Sequence, residues 1–221
     1  MNEVRSVTSN QDSIHKDLQD LVLKYARTQY LRPIAVHTRQ AFEEISEKVG
    51  TKPVVIDSGC GTGESTIHLA RRFGDCIIIG IDKSAMRLNK AGNAIQLENR
   101  PIPENAYWVR AELLDFWRLA KEANWDIRYH AVFYPNPWPK QSEATRRFHM
   151  HPIFPTLISL APQTELRTNW EIYAKEFATA AKLLGNEATL EQFSATPAET
   201  AFERKYAAAG QPLWRIIVNR K

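Results

Sequence analysis

The sequence predicts an α/β protein, doubly wound around a mostly parallel sheet of seven strands with N-terminal helices ahead of it. Three observations carry that reading. Val54, Val55 and Ile56 form a short apolar run that enters Asp57 and then a turn holding Gly59, Gly61 and Gly63. Such a run suits a strand covered on both faces, as parallel strands are. Glu64 to Phe73 follows with Ile67, Leu69, Ala70 and Phe73 on one side, so strand, glycine turn and helix come in succession. Cys76 to Asp82 then repeats the apolar strand ending in an acid, and strand-like and helix-like stretches alternate to the C-terminus.

Taken in order, residues 1–8 read as a tail. Ser9 and Asn10 can cap a helix from about Gln11 to Tyr30, in which Ile14, Leu18, Leu21, Val22 and Tyr25 fall at helical spacing. Pro33 restarts the chain, and Ile34 to Val49 is a second amphipathic helix with Ala41, Phe42 and Ile45 inward. Residues 1–50 are therefore expected to be a helical extension packed on a core domain of residues 51–221, a structural lid and not a separate binding module. After Asp82 the spacing predicts a helix over Ser84 to Glu98, a third strand over Asn105 to Arg110, a short helix over Leu113 to Lys121 and a fourth strand over Tyr129 to Tyr134. Pro135, Pro137 and Pro139 stiffen the next loop, which also carries Asn136, Trp138 and Lys140. A stiff loop after the fourth strand, beside the crevice at the strand ends, suits a substrate clamp. Pro152 and Pro155 allow at most a short helix within Phe148 to Leu160. Thr164 to Thr168 reads as the fifth strand, Glu171 to Leu184 as a helix, Thr189 to Phe193 as the sixth strand and Leu213 to Val218 as the seventh, with Ser194 to Gly210 a long connection.

A chain of 221 residues can bury a full sheet core. No apolar run reaches the roughly 18 residues of a membrane span, and the polar, acid-bearing residues 1–20 speak against a signal peptide. Cys60 and Cys76 both fall in the predicted sheet and read as buried thiols of a reducing compartment, not a disulfide or a metal site. A cytoplasmic protein without a metal is expected. The net charge of +4 permits a nucleic-acid partner without establishing one.

The order Asp57-Ser58-Gly59-Cys60-Gly61-Thr62-Gly63 resembles the S-adenosylmethionine signature Asp-x-Gly-Cys-Gly-x-Gly more than the dinucleotide order Gly-x-Gly-x-x-Gly. Glycines here permit positive φ and close approach of backbone to a ligand. Asp82, at the tip of the second strand, is placed to accept from ribose hydroxyls, and Glu112, just past the third, from the exocyclic amine of adenine. A methyl-donor site of Asp57, Gly59, Gly61, Gly63, Asp82 and Glu112 is the expectation; a tight βα turn and a solvated Glu112 are the plainer alternatives.

Further along, Pro135-Asn136-Pro137-Trp138-Pro139-Lys140, Arg146-Arg147, Thr168-Asn169-Trp170-Glu171-x-Tyr173-Ala174, Thr200-x-Phe202-Glu203-Arg204-Lys205 and Gly210-x-Pro212-Leu213-Trp214 follow in this order. From about residue 50 to the C-terminus the chain resembles the bacterial tRNA (guanine-N7-)-methyltransferases, class I S-adenosylmethionine-dependent enzymes with a Rossmann-like fold. The resemblance implies methyl transfer from S-adenosylmethionine to guanine N7 in tRNA. By position it implies Asn136 as the catalytic residue, touching donor and acceptor, with Lys140, Asn169, Thr200 and Glu203 holding the guanine. It also implies a tRNA partner, no membrane, and a monomer or homodimer. The chain departs from the family pattern where Pro-Asp-Pro-Trp and Thr-Asp-Trp carry Asn136 and Asn169, and where Ser142, Glu143 and Ala144 dilute a basic run. Two other readings stay open: an RNA-binding relative without catalysis, and an amino-group N-methyltransferase. The Asn-Pro-Pro-aromatic loop of the latter is matched imperfectly, because Trp138 comes one residue early.

Overall fold

A computed structural model describes residues 6–90 and 101–221. In chain order the elements are α1 (Leu18–Ala26), α2 (Val36–Val49), β1 (Val54–Ser58), α3 (Glu64–Arg72), β2 (Ile77–Asp82), α4 (Ala85–Leu88), β3 (Ala106–Arg110), α5 (Leu113–Glu122), β4 (Ile127–Phe133), α6 (Phe154–Ser159), β5 (Gln163–Thr168), α7 (Glu171–Leu183), β6 (Glu187–Phe193), α8 (Ala201–Ala208) and β7 (Leu213–Asn219). Short 3-10 turns lie at Gln141–Arg146 and Phe148–Met150. The strands form a seven-stranded sheet in the order β3-β2-β1-β4-β5-β7-β6. The expected α/β class holds. The chain divides into two compact units.

The first unit comprises Arg32–Phe133 and Leu160–Pro162. Here β1 pairs in parallel with β2 and with β4, and β2 with β3. Every residue of β1 and β2 is buried, which explains why their sequences read as continuous apolar runs and not as alternation. The packing of α3 on the sheet leaves no room for a side chain at Gly80, since a Cβ there would stand 2.3 Å from the Thr66 hydroxyl. From α2, Phe42 stacks on Trp125 at 4.6 Å and meets Phe116 edge-on. The buried Ser58 hydroxyl accepts from Trp117 Nε1 at 2.9 Å and lies 2.8 Å from His130 Nε2, which pairs these three buried polar groups.

The second unit comprises the segment ending at Leu31, Tyr134–Ser159 and Gln163–Lys221. Its strand β7 runs antiparallel to both neighbours, with Ile216 opposite Leu166 of β5 and Leu190 of β6. The sheet is therefore mixed. The connection from β6 to β7 leaves and re-enters the sheet at the same end, and neighbouring strands joined in that way must run in opposite directions.

Several elements differ from their sequence expectations. The helix expected over Gln11 to Tyr30 runs only from Leu18 to Ala26. Ahead of it, Gln11 Nε2 and the His15 amide both donate to Glu176 Oε1, at 2.6 and 2.9 Å, which holds this stretch outside helical geometry. Behind it, the Thr28 hydroxyl donates to the Lys24 carbonyl and closes the last turn. The connection Ser194 to Gly210 contains α8, capped where the Thr200 hydroxyl accepts from the Glu203 amide at 3.0 Å; the Thr-x-x-Glu spacing is the signal for it. Strand β6 starts at Glu187, where pairing with Asn219 begins. The helix expected over Ser84 to Glu98 ends at Leu88, with Asn89 as its C-cap, and the part of the expectation beyond Lys90 lies outside the described residues. Among the described residues no helix is long and apolar enough to cross a membrane.

Candidate active site

The first unit carries the residues expected to hold the donor. Asp57 is 1% exposed, and its Oδ2 accepts from the hydroxyls of Ser65 at 2.6 Å and Thr66 at 2.7 Å. It thereby ties the first turn of α3 to β1 and shapes the glycine turn from within. Gly59, Gly61 and Gly63 all have positive φ, of 77°, 59° and 79°. The amides of Gly59 and Cys60 donate to the Ile81 carbonyl, and that of Gly61 to Asp82 Oδ2 at 3.1 Å. A Cβ on Gly63 would stand 2.1 Å from Trp108 Nε1, so the turn passes against the indole of β3. That indole N–H is buried without a hydrogen-bond partner among the described residues.

Asp82 closes β2, accepting from the Ser84 amide on Oδ1 and from Gly61 on Oδ2, with Arg87 Nη1 at 3.3 Å. The carboxylate keeps acceptor capacity on Oδ1, and the half-exposed Arg87 is its outermost partner. Glu112 is the N-cap of α5; its amide donates to the Thr38 hydroxyl, while its half-buried carboxylate has no hydrogen bond among the described residues. Acids thus stand at the carboxyl ends of β1, β2 and β3, around a backbone turn that only glycine could make this close. An orphaned indole donor lies beside it. These residues fit a nucleoside-bearing ligand with a cationic end. The Cys60 thiol is pushed well above its usual range by burial and by the carboxylates of Asp57 and Asp82, so it is no nucleophile.

The second unit carries the residues expected at the acceptor. Tyr134 and Trp138, on either side of Asn136, have left-handed φ of 52° and 46°. Such geometry in a bulky residue persists only where its surroundings over-determine it. They do so here. The Tyr134 amide donates to the Arg167 carbonyl and its hydroxyl to Glu203 Oε1. The Trp138 carbonyl accepts from Arg147 Nε and Nη2, and the Arg146 guanidinium lies 3.4 Å from the Trp138 ring centroid. Asn136 and Lys140 are exposed on this fixed loop, their side chains without partners among the described residues. Asn169, after β5, donates through Nδ2 to Gln211 Oε1 at 2.8 Å. Glu203 is fully buried, and its carboxylate accepts from Arg167, the Tyr134 hydroxyl and the Glu199 amide. Its side chain is a brace that fixes Thr200 and the start of α8, not an open ligand position.

Sequence reasoning missed what holds the loop. Glu176 of α7 is fully buried, and its oxygens accept from Gln11 Nε2, the His15 amide, Arg147 Nη1 at 2.7 Å and His149 Nε2 at 2.8 Å. Burial alone would raise its carboxyl, but the His149 bond, the Arg147 charge and the His15 amide outweigh that and bring it down to about 2. Burial holds His149 below its ordinary 6.5, only partly offset by Glu176. At neutral pH His149 therefore donates through Nε2 as a neutral ring, and Arg147 is the counter-charge. A signal was present: Glu176 is an acid on the apolar side of α7, three residues from Tyr173 and one from Phe177. Arg167 inside the buried strand β5 is a signal of the same kind.

A family model described as "Putative methyltransferase" matches residues 51–216. The tRNA (guanine-N(7)-)-methyltransferase of Nocardioides sp. is 30% identical over 179 residues, covering 76% of this chain and 68% of that protein. The enzyme of the same description from Neisseria meningitidis is 24% identical over 177 residues, covering 76% and 72%. A solved structure described as "Structure of an Antibiotic Related Methyltransferase" superposes with a TM-score of 0.53 at 18% identity, covering 89% of this chain and 98% of that one; this likeness speaks to the fold alone.

Two outcomes are expected from these contacts. Gly63→Ala combines a left-handed φ with a clash against Trp108, and should destabilise the protein by about 1–3 kcal/mol or more in urea unfolding. Glu176→Gln leaves Arg147 buried without its counter-charge and should cost about 3–5 kcal/mol. Both His149 and Glu176 bind protons more readily in the unfolded chain, so stability should rise with pH. Wild-type stability is expected to begin falling as pH drops below about 6.5, with a further loss from 4.5 towards 2 that the E176Q protein lacks. A flat unfolding free energy from neutral pH to pH 4.5 would overturn this assignment.

Proposed function

The chain belongs to the tRNA (guanine-N(7)-)-methyltransferase family of S-adenosylmethionine-dependent enzymes, and from that premise we propose that it methylates N7 of a guanine in tRNA. The observation that carries the reading is the donor turn, with Asp82 and Glu112 at neighbouring strand ends around glycines of positive φ. When bound, the donor supplies an electrophilic sulfonium methyl group. Guanine N7 has a lone pair and no proton, so the protein needs no general base. Its task is to align the base and to offset the positive charge that spreads onto the ring.

In this reading Asp82 accepts the ribose hydroxyls, through the free capacity of Oδ1 and by releasing Arg87, while Glu112 accepts the adenine amine. The backbone of Gly59 to Gly63 receives the amino-acid end, in the shape that Asp57 imposes. Asn136 accepts from guanine N1–H and donates to O6, Lys140 supplies a cation, and the Asn169 carbonyl oxygen is left to accept while its amide is held by Gln211. Thr200 presents the start of α8 to the base, on the brace that Glu203 provides. Amides at Asn136 and Asn169 keep hydrogen bonds to guanine but give less compensation of the developing charge than carboxylates would. The same reading gives a cytoplasmic enzyme with tRNA as its partner, working as a monomer or homodimer.

Incubation with labelled donor and total tRNA, followed by nucleoside analysis, tests this. N7-methylguanosine is the expected product. Label in another nucleoside would move the chain to the amino-group reading, and RNA binding without label would make it a silent relative. Asp82→Ala should weaken donor binding by about tenfold or more in calorimetry, from loss of charge-assisted bonds to the ribose; unchanged affinity would remove Asp82 from the site. If charge compensation limits the rate, Asn136→Asp should raise it.

A further inference from the structure

Thr8, Ser9 and Asn10 face Pro139 to Ser142 across an open groove of about 710 Å³, within the second unit. Its lining is hydroxyls (Thr8, Ser9, Ser142), carboxamides (Asn10, Gln141) and the ammonium of Lys140. Among the described residues no carboxylate and no aromatic ring lines it. The nearest acids in sequence are directed elsewhere: Glu143 pairs with Arg146 at 3.1 Å, and Asp12 accepts from the Ser13 hydroxyl.

The two walls are joined. The Ser9 hydroxyl donates to the Pro139 carbonyl at 2.5 Å and accepts from the Gln11 amide. Gln11 and His15 are held by Glu176, which holds Arg147, which holds the Trp138 carbonyl. The N-terminal segment and the loop carrying Asn136 therefore share a single anchor. A wall rich in neutral donors with one cation favours a ligand that offers many oxygen lone pairs and a negative charge, and a pre-formed wall lowers the ordering cost of binding it.

We propose that residues 8–10 are part of the acceptor site, forming with Lys140 to Ser142 a subsite for the sugar-phosphate backbone of the RNA beside the methylated guanine. This rests on the RNA-methylating reading and adds to it a binding role for a segment that the sequence places as a structural lid.

The full-length chain carrying Asn10→Asp or, separately, Ser142→Asp puts a negative charge at an exposed groove position whose side chain makes no hydrogen bond among the described residues. Binding to an unmodified tRNA transcript is followed by fluorescence anisotropy over a salt series, with donor affinity measured by calorimetry. Each variant should bind RNA about fivefold more weakly at low salt, the difference shrinking as salt rises, with donor affinity unchanged. A chain lacking residues 1–10 should show the same loss. Lys140→Ala should lower the slope of log affinity against log salt by about one. Wild-type RNA affinity in Asn10→Asp, in Ser142→Asp and in the chain lacking residues 1–10 overturns the inference and leaves methyl transfer standing, whereas a wild-type chain that binds no tRNA overturns both.

Discussion

Glu176 is a carboxylate with no exposed surface that accepts hydrogen bonds from four groups on two stretches of chain, both distant in sequence from its own helix. Moving it and Arg147 out of water costs several kcal/mol per ion, an amount their attraction offsets only when the remaining donors and acceptors are also satisfied. Here they are: Arg147 reaches the Trp138 carbonyl with two further nitrogens and lies over the Trp170 ring. Apolar side chains of similar volume could fill the same space as stably. They could not turn the N-terminal segment, the Trp138 carbonyl and α7 towards one point, and the left-handed geometry at Trp138 depends on that convergence.

The buried acids of both units follow one division of labour. Asp57, Glu176 and Glu203 are all closed off from solvent and are taken up by hydroxyls, amides and guanidinium groups of the protein. The groups left open are Glu112, Asn136 and Lys140, while Asp82 is itself buried and stands between the two classes, with spare acceptor capacity on Oδ1 and the exposed Arg87 as a partner. Burial makes an acid a good brace, because a charge without water must be held by fixed partners, and for the same reason makes it a poor ligand, because those partners already fill its lone pairs. A motif residue can thus be indispensable to a site without touching what binds there.

Much of the fold was legible in the sequence. The runs Val54–Ile56 and Cys76–Asp82 announced strands covered on both faces, since burial on two sides leaves no polar alternation. The glycine turn, the acids at the strand ends and the stiff proline loop were legible because backbone conformation and chain direction are local properties. What failed had a distant cause. The stretch before Leu18 has helical spacing, and nothing nearby forbids a helix; it is held open by a carboxylate far along the chain. The antiparallel course of β7 depends on which end of the sheet the β6–β7 connection returns to, which composition does not encode. The pairing of Glu203 with Tyr134 and Arg167 was not legible either, because those partners sit on other elements.

The bond between Gln11 and Glu176 joins residues 165 positions apart. During synthesis Gln11 and His15 leave the ribosome well before Glu176, the carboxylate that orders them. Closing so long a loop carries a larger entropic cost than local helices face, and a slightly larger one than the pairing of β1 with β4. The parallel unit is complete in sequence by Phe133, apart from residues 160–162, whereas the acceptor loop waits for α7. Residues made before the parallel unit are thus among the last to find their place, and a nascent chain would hold a formed glycine turn before the loop of residues 135–140 was anchored.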